Sequence, residues 1–155
     1  MEKPTREFIK ILSDDELRAT ALQLDAAVSE VVTAGEQRES VYGEKAVLMK
    51  RGRELQTEIK LAESNAIMQI QGNGKDAFAI VDGRKVFLTN DTARDAYRRE
   101  ASRAERTELA KIEGQLMQID VTLGKASDVF NTKVEVLHGI QAKAKLQAAL
   151  LEYLA

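Results

Sequence analysis

The chain holds one proline, Pro4, so nothing from residue 5 onward carries the strongest helix breaker. Long uninterrupted helices are therefore open to it. Outside one central patch most positions are Ala, Glu, Lys, Arg, Gln or Leu, residues that cost little in a helix. Ser13-Asp14-Asp15-Glu16 reads as a capping box, and its acids suit the positive end of a helix. Apolar residues follow at Leu17, Ala21, Leu24, Val28 and Val31. After a polar stretch from Gly35 to Ser40 the pattern resumes at Leu48, Gly52, Leu55, Ile59, Ala62 and Ala66. In the second half, Thr89-Asn90-Asp91-Thr92 offers several N-caps. Leu109, Ile112, Leu116, Ile119 and Leu123 then repeat at three and four, with Phe130, Val134, Leu137, Ala144, Ala148 and Leu151 further on. Such spacing belongs to coiled coils.

The central patch reads differently. Ala77-Phe78-Ala79-Ile80-Val81 and Arg84-Lys85-Val86-Phe87-Leu88 are short apolar runs flanking Asp82-Gly83, the dipeptide of a type I′ turn. That turn sets Val81 against Arg84, Ala79 against Val86 and Phe78 against Phe87, a favourable cross-strand aromatic pair. The expectation is a mainly α fold in a single domain over 1–155. It has a first helical arm over 14–71, a β-hairpin over 76–89 and a second arm over 91–154, arranged as a long antiparallel coiled-coil hairpin. The alternative is a four-helix bundle, with the arms folded at Gly35 and Gly124. Two helices bury only one stripe each, so the first arrangement calls for self-association.

Composition limits the chemistry. Without cysteine there is no disulfide scaffold, thiolate metal site or thiol catalysis, and one histidine cannot build a multi-histidine site or a supported triad. His138 has only Glu135 as a near carboxylate in sequence, Asp14-Asp15 is explained by capping, and Glu54 and Glu58 read as helix-surface charges. Gly72-Asn73-Gly74-Lys75 lacks the spacing of a phosphate loop and fits a helix-ending turn. No catalytic residue, metal site, cofactor or small-molecule substrate is expected. The stretch Met1–Glu7 lacks the apolar core of a signal peptide, and no run is long enough to span a membrane, so a cytoplasmic location is expected.

A net charge of -2 gives no global pull toward nucleic acid. Locally, Arg94, Arg98, Arg99, Arg103 and Arg106 crowd the start of the second arm, and Arg99, Arg103 and Arg106 share a helical face. A stripe of this kind would track phosphates in a salt-sensitive, sequence-independent way. Asp91, Asp95, Glu100, Glu105 and Glu108 are interleaved, however, as on a solvated face laced with ion pairs.

Two resemblances bear on function. The helix–hairpin–helix plan resembles, in topology, a prefoldin subunit, whose hairpins assemble into a shared sheet. The segment Leu88-Thr89-Asn90-Asp91-Thr92-Ala93-Arg94-Asp95-Ala96 resembles one in small helical proteins of phages and prophages. Asn90, Asp91, Arg94 and Ala96 match its pattern, whereas Thr89 and Thr92 stand where Lys and Glu are usual. That likeness implies a phage-derived helical protein with no settled activity to transfer. The leading expectation is a non-enzymatic assembly protein, a homo-oligomer joined through Phe78, Ile80, Val86, Phe87 and Leu88. The alternative is a nucleic-acid-binding accessory using the arginine face.

Overall fold

The computed structural model describes residues 10–155, so Met1–Glu7 lies outside it. Its elements run α1 (Asp14–Met68), a 3-10 turn (Gly74–Asp76), β1 (Phe78–Val81), β2 (Arg84–Phe87), α2 (Asp91–Ala101) and α3 (Arg103–Leu154). The fold is a mainly α helical hairpin in which α1 packs against α3 and a small antiparallel sheet lies between them in sequence. α1 is continuous through Gly35 and α3 through Gly124, so the bundle folded at those glycines does not form. A glycine costs about 1 kcal/mol against alanine in a helix, too little to break one that is packed along its length.

The first arm ends sooner than expected. α1 stops at Met68, short of residue 71, because Gly72 turns the chain at φ 81 and Gln71 leaves the helix to pair with Phe78. The second arm is interrupted at Ser102, which divides α2 from α3.

The described residues fall into two compact units. The hairpin unit, Glu44–Asp120, carries the expected seam: Leu55 is fully buried, Ile59, Ala66 and Ile112 nearly so, and Gly52 lies beside Leu109 and Ile112. Its strands pair in the expected register, Phe78 with Phe87, Ala79 with Val86 and Val81 with Arg84. Asp82 and Gly83 both take positive φ, 50° and 77°, as a type I′ turn requires. The ladder continues one pair further, with Leu88 N–H donating to the Ala77 carbonyl at 2.8 Å. Ala77, Ala79 and Leu88 are buried, and the opposite face of the sheet is open.

The other unit takes the chain up to Gly43 and from Val121 onward. Here the helical phase departs from expectation. Ala21 and Val28 are exposed, and the buried positions are Thr20, Ala27 and Ala34. Leu24 and Val31 fit either phase, so the apolar pattern alone could not choose. Likewise Gln147, not Ala148, is buried on α3, its amide donating to the Ile11 carbonyl at 3.1 Å. Leu151 is also exposed. A Cβ on Gly35 would lie 3.4 Å from the Phe130 ring, and Arg38 covers that ring with its guanidinium 3.9 Å from the centroid. The polar stretch thus belongs to the seam. Only half of the capping box forms: Glu16 N–H donates to Ser13 Oγ, while the Glu16 carboxylate reaches Lys143 at 3.6 Å.

Candidate functional site

The arginines at the start of the second arm do not form one free stripe. Asn90 caps α2, its Oδ1 accepting from Ala93 N–H at 2.8 Å, which sets Arg94 in the first turn facing the hairpin base. Arg94 donates to the Leu88 carbonyl and the Gly74 carbonyl, both at 3.2 Å, and pairs with Asp91 at 2.9 Å. It fastens the helix to the strand exit and the glycine turn. Arg98 pairs with Asp95 at 3.1 Å and approaches Glu63 at 3.9 Å.

Arg106 binds Glu63 directly and donates to Ser102 Oγ at 2.9 Å, while Ser102, fully buried, donates to Glu63 at 3.2 Å. Glu63, with a side chain 17% exposed, is the centre of this cluster. The hydrogen bond from Arg106 holds its carboxyl below the usual range against the opposing effect of desolvation, with Ser102 and Arg98 adding to the shift. Three of the five arginines therefore serve the chain's own architecture. The Arg103 side chain, 75% exposed, has only Glu100 at 3.3 Å, and the Arg99 guanidinium has no ion-pair or hydrogen-bond partner among the described residues, although the Arg99 carbonyl accepts from Ser102. Arg99, Arg103 and Arg106 line a shallow groove of about 520 Å³.

A second network escaped the sequence reading. Arg51 grips Glu108 with two bonds of 3.0 Å and also reaches Glu58 at 3.1 Å and Glu54 at 3.6 Å. Those bonds raise the Arg51 pKa and lower that of Glu108. The signal that could have found it was position: Arg51 and Glu58 sit one heptad apart beside the apolar seam, where coiled coils place interhelical charges.

The hairpin residues divide as well. Ile80, Val86 and Phe87 are 56%, 41% and 62% exposed, and Phe78 is half-buried with Lys85 Nζ 4.5 Å from its ring centroid. Leu88, also expected at an oligomer interface, is 2% exposed in the single chain. Its side chain shares the covered face of the sheet with Ala77 and Ala79, and it belongs to the hairpin's own ladder.

His138 is exposed on α3, and among the described residues no group of three His, Cys, Asp or Glu is placed to hold a metal ion. No helix of the described residues is long and apolar enough to cross a membrane. No family model matches the chain, and neither a curated protein nor a solved structure matches it.

Proposed function

We propose that this chain is a non-enzymatic assembly protein that acts by associating with copies of itself. The observation that carries the reading is the open face of the hairpin, where Ile80 and Phe87 are more than half exposed on a two-stranded sheet. A two-stranded sheet is marginal in water, and large apolar side chains gain by leaving solvent. A cytoplasmic setting is part of the reading, favoured by the absence of cysteine, and so is a phage origin, favoured by the segment from Leu88 to Ala96.

Sedimentation equilibrium of the full chain tests it. The expected mass exceeds 17.2 kDa and falls to that value when Ile80→Ser and Phe87→Ser are combined, with helix content unchanged by circular dichroism. A wild-type protein that stays at 17.2 kDa up to its solubility limit overturns the reading.

A second reading, nucleic-acid contact, keeps support from exposed Arg99 and Arg103 alone. It requires affinity that falls steeply with salt and is lost in the Arg99→Glu, Arg103→Glu double variant. No binding at low salt removes it.

A further inference from the structure

The two edges of the hairpin are not equivalent. Phe78 exchanges both backbone bonds with Gln71, each 2.8 Å, so its N–H and C=O point away from β2. Leu88 N–H donates to Ala77, which marks Ala77–Leu88 as a hydrogen-bonded pair. By the alternation of an antiparallel ladder, Ala79–Val86 and Val81–Arg84 are hydrogen-bonded too, while Phe78–Phe87 and Ile80–Lys85 are not. The N–H and C=O of Lys85 and Phe87 therefore point outward from β2. None of these four groups has a partner among the described residues. On β1 the corresponding outward residues are Phe78, already closed by Gln71, and Ile80 alone.

A free edge of this kind is a template for another strand. Lysine on an edge ordinarily blunts it, but the Lys85 ammonium is drawn back over its own chain's Phe78 ring. We propose, building on the self-assembly reading, that the β2 edge pairs antiparallel with the β2 edge of a second copy, in a two-fold register centred on Val86. Lys85 then faces the partner's Phe87, and Phe87 the partner's Lys85. All eight outward groups of the two edges are satisfied by four hydrogen bonds. A register centred on Lys85 would set two lysines directly opposite each other, which is destabilising. β1 has no second open residue with which to form the same four bonds.

The lack of native cysteine makes the test direct. Across the new pairing the two Val86 residues form a non-hydrogen-bonded pair, about 4.5 Å between Cα atoms, inside the range a disulfide spans. Under copper–phenanthroline oxidation, Val86→Cys should give a covalent dimer and Ile80→Cys should not. Lys85→Pro, which removes an outward donor that the hairpin itself does not use, should lower the sedimentation mass with helix content retained. Cross-linking at Ile80→Cys equal to or above that at Val86→Cys overturns this edge and register. So does an oligomer that neither cysteine traps, or one that Lys85→Pro leaves intact, and in these cases self-assembly itself stands. A mass of 17.2 kDa throughout, with no cross-link, removes both.

Discussion

Between Glu44 and Asp120 the seam closes over Leu55, Ile59 and Ile112, whereas in the unit made from the two chain ends the buried positions are Thr20, Ala27, Ala34 and Gln147. Both follow a seven-residue repeat, Thr20, Ala27 and Ala34 falling in step with Leu55, and Ile112 with Gln147, while Ile59 adds a second position to it. What differs is the apolar area each position removes from water. A fully buried leucine or isoleucine contributes about 1.5–3 kcal/mol, and alanine much less. Polar contacts follow the same division. The hairpin unit has the Glu63–Ser102–Arg106 cluster and the bidentate Arg51–Glu108 pair, while the other unit has single ion pairs such as Lys133–Glu30 at 3.1 Å. A shared repeat is thus expected to carry unequal local stability.

The strongest way to break this comparison is Leu55→Ala, expected to cost about 3 kcal/mol in denaturant unfolding. Alongside it, amides flanking Leu55, Ile59 and Ile112 should exchange hydrogen more slowly than those near Ala27, Ala34 and Gln147. Uniform protection across both groups would refute the contrast. Next come two glycines on the seams. A Cβ on Gly52 would meet Ile112 at 3.7 Å, an ordinary contact, so Gly52→Ala should stabilise by about 1 kcal/mol. At Gly35 the Phe130 ring is 3.4 Å from the new carbon, so Gly35→Ala should gain less. Equal gains in thermal melts would contradict that difference.

Glu63→Gln should cost about 1 kcal/mol at neutral pH, with the exposure of Arg106 allowed for. Because the folded carboxyl titrates below its ordinary value of 4.5, its contribution is complete above that pH. It is lost as pH falls through the depressed value. Wild type and variant should therefore converge in stability under acid; a gap that persists there would show that the charge is not the cause. Least affected should be Lys133→Gln in the other unit, within about 0.5 kcal/mol, since both partners are more than a third exposed.

The turn and register of the hairpin were readable, because Asp82-Gly83 dictates local geometry and a two-residue turn sets every pairing beyond it. The seam of the hairpin unit was readable for a related reason. Leu48, Leu55 and Ile59 mark plainly which stripe is apolar. In the other unit small residues and polar residues share the stripe, and Leu24 and Val31 are common to two phases. The arginines were visible as a cluster, but their division into Arg94, Arg98 and Arg106, held internally, and Arg99 and Arg103, facing solvent, was not. Spacing along one helix cannot say that Glu63 on another helix, or the carbonyls of Gly74 and Leu88, will meet them.

By itself, then, the sequence determined the helical character of both arms, the position of the turn and the strand register. Each of these depends on interactions between residues close along the chain: helix propensity, the absence of proline, and the positive φ that Asp82 and Gly83 accept. Tertiary structure decided which phase of α1 is buried, where the second arm breaks at Ser102, which face of the hairpin is covered, and that Gln71 closes one sheet edge while β2 stays open. Those outcomes turn on which groups meet from distant parts of the chain, and on whether a backbone bond or a buried contact is completed there. Several local patterns were compatible with the residues, and only the packed neighbours select among them.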